Sequence, residues 1–140
     1  MKYIVTGGAG FIGSNLVDRL LEDGHQIVVI DNLASDESRQ RIESEEFSNW
    51  NIENPILLKE DIATMTDFSL FENAHGMFHL AALPQVQPSI NNPLEYHSVN
   101  VNGTLNMLAA CKENGIKRFV FSSSSAIYGD VKSLPTKETS

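Results

Sequence analysis

Cysteine is nearly missing from this sequence. Cys111 stands alone among 140 residues, which excludes an intrachain disulfide and a thiolate metal cluster and suits a reducing compartment. Basic residues are also scarce, ten Lys and Arg against eighteen Asp and Glu, for a formal net charge of −8. A chain of that sign is repelled by nucleic acid and by anionic membrane surfaces. Any phosphate-bearing ligand must therefore be held by local main-chain donors. No apolar run approaches the ~20 residues of a membrane-spanning helix. The opening Met1-Lys2 leads into a short apolar strand and then glycines, not into a secretory leader. These absences make the cytoplasm the expected location, with no nucleic-acid, membrane or metal partner.

What is present is one domain's worth of ordinary globular sequence, 41% apolar and 20% charged. It is organised around Thr6-Gly7-Gly8-Ala9-Gly10-Phe11-Ile12-Gly13. Tyr3-Ile4-Val5 reads as a strand entering this stretch. Ile12, Leu16 and Leu20, with Val17 and Leu21 beside them, read as a helix leaving it. Strand, glycine turn and helix together are the context in which a phosphate-binding motif has physical meaning. Gly7 supplies a tight turn, Gly10 lets the backbone approach a phosphate, and Gly13 lets the helix pack close to the strand. The free N–H groups and the dipole at the helix start favour an anion. The glycines fit two registers, Gly8-x-Gly10-x-x-Gly13 and Gly7-x-x-Gly10-x-x-Gly13, and a plain tight turn is the alternative reading.

The first helix is expected over Phe11–Asp23, stopping at Gly24. Gln26–Ile30 is a nearly continuous apolar run, as a parallel strand buried on both faces requires. A short helix is expected near Glu37–Glu45, and Trp50 is expected to be a local packing anchor. Pro55–Lys59 reads as a third strand, Met65–Phe71 as a brief helix and Gly76–Leu80 as a fourth strand. Three prolines make Pro84–Pro93 mostly loop. Tyr96–Glu113 reads as a long helix with Val101, Leu105 and Leu108 on one face, and Arg118–Phe121 as a fifth strand. This alternation predicts an α/β fold, a doubly wound parallel sheet of order 3-2-1-4-5. The ligand crevice should lie at the carboxyl ends of strands 1 and 4, where the winding reverses.

The distinctive polar residues fall at those ends. Asp31 lies 18 positions after Gly13 and can accept from both hydroxyls of an adenosine ribose while repelling a 2′-phosphate. No Arg or Lys follows it until Arg39, which favours NAD over NADP; an Asp that merely ends the strand is the alternative. Asp61 is placed to reach an adenine amino group with Ile62 against the ring, or to cap the next turn. His79 reads as a packed strand-end histidine rather than a base. The small Ala81 and Ala82 let the fourth-strand turn lie against a cofactor. Ser122–Ser125 follows the fifth strand on the nicotinamide side, where a hydroxyl can orient a substrate alcohol.

Six motifs appear in order: Thr6–Gly13, Asp31-Asn32-Leu33, Asp61-Ile62, His79-Leu80-Ala81-Ala82, Asn100-Val101-Asn102-Gly103-Thr104 and Ser122–Gly129. Together they resemble the extended short-chain dehydrogenase/reductase family in its NAD-dependent epimerase/dehydratase branch. Within that branch they are similar to the nucleotide-sugar 4-epimerases, whose substrates are UDP-sugars. The resemblance implies a Rossmann-type domain, NAD as cofactor, and hydride passed from sugar C4 and returned to its other face. It implies that Phe11 and Ile12 give main-chain donors to the pyrophosphate and that Asp31 and Asn32 cradle the adenosine. It further implies that Asp61 and Ile62 touch adenine, that Leu80, Ala81, Ala82 and Leu83 line the cofactor, and that Asn100 braces the site. Ser124 matches the catalytic hydroxyl. A homodimer through the long helices is a further implication.

Pro84-Gln85 stands where some epimerases carry a basic residue. The family's Tyr-x-x-x-Lys pair belongs on a later helix, so these residues correspond to a sheet truncated before the later strands and the substrate domain. Tyr128 and Lys132 have the right spacing, but Gly129, Asp130 and Pro135 disfavour a helix there. A dehydratase, decarboxylase or reductase of the same family and a non-catalytic NAD-binding module are the alternatives.

Overall fold

The computed structural model describes residues 1–44, 50 and 53–140. Its strands are β1 (Lys2–Thr6), β2 (Gln26–Ile30), β3 (Ile56–Leu58), β4 (Gly76–His79) and β5 (Phe119–Phe121). The helices are α1 (Phe11–Glu22), α2 (Asp36–Glu43), α3 (Val86–Asn91), α4 (Pro93–His97) and α5 (Thr104–Glu113). The five strands form one sheet of order β3-β2-β1-β4-β5, and each pairing is parallel. This is the doubly wound order expected from the alternation of strands and helices.

Alternate residues of each strand serve opposite faces of the sheet, so a strand covered on both sides must be apolar throughout. On one face Val5, Ile27 and Val29 pack with Val17 and Leu20 of α1. On the other, Ile4, Val28, Ile30 and Met77 pack with Met107, Ala110 and Cys111 of α5. Trp50 joins the α1 side and donates its indole N–H to Asp18 at 2.9 Å, an anchor as expected. Helix α1 ends at Glu22 with Asp23 as its C-cap, and Gly24 follows at φ +80°.

Three expectations need correction. Pro84–Pro93 is not mostly loop, because α3 lies inside it. Pro88 is the third residue of α3, where a missing N–H removes no helical bond, and Pro93 opens α4 in the same way. The long helix begins at Pro93 and passes through a π-helical segment, Ser98–Gly103, before α5. Its stripe of Val101, Leu105 and Leu108 faces outward, and Leu105 is 64% exposed. The sheet-facing side is Met107, Ala110 and Cys111, a second apolar stripe on the same helix. Periodicity alone does not say which of two stripes meets the sheet. Third, 65–71 holds only the 3₁₀ turn Ser69–Phe71. The helix expected near Glu37–Glu45 is α2, and Glu45 lies outside the described residues.

Among the described residues no helix is long and apolar enough to cross a membrane.

Candidate functional site

The glycine stretch turns between β1 and α1. Gly7 adopts φ +68°, the left-handed region open to glycine, and a Cβ there would lie 2.8 Å from the Ala81 nitrogen. The turn can therefore lie directly against the exit of β4. Gly13 sits even closer to its neighbours: an added Cβ would fall 2.2 Å from the Gly7 carbonyl oxygen. Its close partner is thus the glycine turn itself rather than the body of the strand. Gly10 is the N-cap of α1, whose start carries no side-chain cap and no acidic residue. The first N–H groups of a helix have no partner within it. Among the described residues no side-chain cap competes with an anion for them.

Asp31 closes one side of the turn. Its Oδ2 accepts from the Ala9 N–H at 3.0 Å and its Oδ1 from the Leu33 N–H at 2.9 Å. Each carboxylate oxygen keeps a further lone pair for a ligand hydroxyl. A cavity of about 460 Å³ opens beside it, at the carboxyl ends of β1, β2 and β4. Of the residues singled out in the sequence, Gly7, Gly10, Asp31, Asn32, Asp61 and Ile62 line it. Leu80, Ala81 and Ala82 form the wall from β4. Asp61 also ties its own turn, accepting from the Ala63 N–H at 2.8 Å, so the two readings of this residue coexist. Phe11, Ile12 and Gly13 are not on the cavity wall; the side chains of Phe11 and Ile12 point into solvent.

A second cavity, of about 760 Å³, continues from the same β4 wall to the end of β5. Asn100, Ser122, Ser123 and Ser124 line it together with Leu80, Ala81 and Ala82. The Asn100 side-chain amide grips Leu83 twice, accepting from its N–H at 2.8 Å and donating to its carbonyl at 3.0 Å. Ser124 is exposed and its hydroxyl accepts from the Ala126 N–H at 3.2 Å. Tyr128 closes a 3₁₀ turn and Gly129 follows at φ +61°, so Tyr128 and Lys132 do not share a helix.

His79 borders the second cavity and is 1% exposed. Thr104 donates its hydroxyl proton to the Asn100 carbonyl at 2.8 Å, which leaves its oxygen to accept from His79 Nε2 at 2.9 Å. His79 Nδ1 is then an acceptor for the Thr6 hydroxyl at 2.8 Å. The Thr6 oxygen in turn accepts from the N–H groups of Leu80 and Ala81, both at 3.1 Å. The donors and acceptors close only with a neutral imidazole. Burial pushes its pKa below the ordinary 6.5, in the same sense. His79 is a packed strand-end histidine.

Residues 3–140 match the model of the NAD dependent epimerase/dehydratase family. The chain belongs to that family. A UDP-glucose 4-epimerase from Klebsiella pneumoniae is 37% identical over 146 residues, covering 99% of this chain and all of that sequence. Two solved structures are similar as well. The UDP-N-acetylglucosamine 4-epimerase of Methanobrevibacter ruminantium M1, in complex with UDP-N-acetylmuramic acid, is 39% identical with a TM-score of 0.80. This chain spans 42% of its length. The UDP-glucose-4-epimerase of Stenotrophomonas maltophila, with bound NAD and formylated UDP-arabinopyranose, is 32% identical with a TM-score of 0.84. This chain spans 41% of it.

The residues present fit the dinucleotide in the name of the epimerase/dehydratase family. The glycine turn leaves no room for side chains, the helix start is uncapped, and the Asp31 carboxylate keeps free lone pairs beside a cavity. Several residues at this site were not read from the sequence as functional. Thr6 and Thr104 lie inside the quoted motifs, four positions after Asn100 in the case of Thr104, but only the packing of β1, β4 and α5 brings them onto one histidine. Tyr96 lines both cavities and Ser35 the first. Arg41, from α2, donates to the Ala9 carbonyl at 2.8 Å, a contact with no signal in sequence spacing.

Proposed function

We propose that this chain is the NAD-holding portion of a nucleotide-sugar 4-epimerase that acts on UDP-sugars by transient hydride transfer at C4. The observation that carries the reading is the alignment of two cavities along one wall, Leu80–Ala82. The glycine turn and Asp31 lie at one end of that wall and the serine run at the other. Bound NAD supplies a hydride acceptor and, in the return step, a hydride donor. The residues of this chain bind and orient. Main-chain N–H groups at the start of α1, those of Phe11 and Ile12 among them, hold the pyrophosphate in a chain that has no excess of positive charge to offer.

Asp31, with Asn32, takes the adenosine ribose hydroxyls, and its charge keeps a 2′-phosphate out. Asp61 and Ile62 border the adenine. Asn100 holds Leu83 from both sides, and so fixes the main chain that lies against the nicotinamide half. Ser124 orients the sugar alcohol and holds its hydrogen bond as charge develops on that oxygen. No residue among the 140 stands as the Tyr-x-x-x-Lys base. The chain is therefore expected to recognise NAD without epimerising a sugar.

Titration calorimetry of the purified chain with NAD and NADP tests the reading. NAD binding is expected, with NADP at least about tenfold weaker. Asp31→Asn is expected to weaken NAD by about tenfold through loss of charged hydrogen bonds. Equal affinity for the two cofactors, or no binding of NAD, overturns it. Turnover of UDP-glucose or UDP-galactose by the same chain would overturn the expectation that it does not epimerise a sugar.

A further inference from the structure

Helix α2 carries two arginines two positions apart, and each holds a different loop of the site. Arg39 donates through Nη1 to the Leu33 carbonyl at 2.9 Å and the Ala34 carbonyl at 3.2 Å, and pairs with Asp36. It fastens the loop that follows Asp31 to its own helix. Arg41 reaches further. Its Nη1 donates at 2.8 Å to the carbonyl of Ala9, 32 residues earlier, inside the glycine turn.

Ala9 has no exposure to solvent. Its N–H is taken by the Asp31 carboxylate at 3.0 Å and its carbonyl by the Arg41 guanidinium. The peptide groups on its two sides are therefore fixed by side chains of opposite charge. The next residue, Gly10, donates to the Gly7 carbonyl at 3.1 Å and accepts the first helical bond, from Ser14, at 2.9 Å. Gly7 and Gly10 line the cavity and Ala9 between them does not. A loop that holds an anion must turn its N–H groups towards the ligand and its carbonyls elsewhere. The Ala9 carbonyl immediately precedes Gly10, the N-cap of α1, and a carbonyl turned towards the ligand there would oppose a phosphate. Arg41 takes it up inside the protein, and adds a positive charge beside the loop in a chain of net charge −8.

We infer that Arg41 is a positioning residue for the pyrophosphate. It acts through the Ala9 carbonyl, so its contribution appears with ligands that carry phosphates and not with the nucleoside alone. The inference rests on the proposed NAD site.

The test compares NAD, ADP and adenosine on the wild-type chain and on Arg41→Ala and Arg41→Lys, with dissociation constants from NMR titration and unliganded stability from thermal melting. For Arg41→Ala the constants for NAD and ADP are expected to rise about tenfold. Adenosine is expected to change less than about twofold, and the unliganded melting temperature to hold. Arg41→Lys keeps the cation and one donor, and is expected to recover part of the loss. An equal loss for adenosine, unchanged NAD and ADP binding, or a loss that follows melting temperature with no rescue by Lys overturns the inference while leaving the NAD site in place. Failure of the wild-type chain to bind NAD and ADP overturns both.

Discussion

β1 and β5 belong to one sheet with a single strand between them, and they live in different surroundings. Ile4, Val5 and Thr6 of β1 are wholly buried, with a paired strand on each side and a helix over each face. Among the described residues β5 pairs with β4 alone, and Val120 and Phe121 are each more than half exposed. The functional groups follow suit. At the end of β1 the glycine turn is held by Asp31, Arg41 and the β4 main chain. At the end of β5 Ser122, Ser123 and Ser124 stand exposed. The glycine turn is thus held in place by several independent contacts. The serine end is open by comparison.

Core substitutions give the sharpest contrast between covered and open regions. Met107 has no exposure and packs beneath the sheet, while Leu105, on the same helix, points outward. Met107→Ala is expected to cost about 3 kcal/mol in urea unfolding, and Leu105→Ala no more than about 0.5 kcal/mol. Similar costs for the two would break the assignment of the outward stripe.

Glycines sharpen the same contrast at the site. Gly13→Ala places a methyl 2.2 Å from the Gly7 carbonyl oxygen, at an expected cost of about 2 kcal/mol and with NAD binding lost. Gly24 has a positive φ but open space around it, so Gly24→Ala should cost about 1 kcal/mol and leave binding intact. Calorimetry and chemical unfolding on the pair separate crowding from backbone strain. If Gly13→Ala binds NAD normally, the turn is not the anion cradle described above.

The smallest effect concerns pH. The folded-state pKa of His79 lies below its unfolded value of about 6.5 because burial disfavours the charged form. Its contribution to stability is therefore complete above pH 6.5 and is lost as pH falls from there through the folded value. Unfolding curves between pH 7.5 and 5.5 should show this loss, and His79→Gln should flatten it. An unaltered slope in the variant would place the titration elsewhere.

The local rules of the chain decided a good deal without tertiary information. The nearly continuous apolar run at 26–30 meant a strand covered on both faces, the run at 3–5 meant a strand, and the glycine spacing meant a turn into a helix. Asp31 and Asp61 came at strand ends because a polar residue stops an apolar run there, and those ends share a cavity once the sheet is parallel. Other features depend on which surfaces meet. The helix at 93–113 carries two apolar stripes, and only docking on Ile4, Val28 and Met77 decided that Met107, and not Leu105, is core. The proline-rich stretch coiled into α3 and α4 because Pro84 precedes α3 and Pro88 and Pro93 fell in first turns, where a missing donor is harmless. Thr6, His79 and Thr104 became one hydrogen-bonded chain, and Arg41 found Ala9, through contacts between residues 25 to 73 positions apart. Sequence periodicity records which residues share a face of one element, and the partner of that face exists only when the elements are packed.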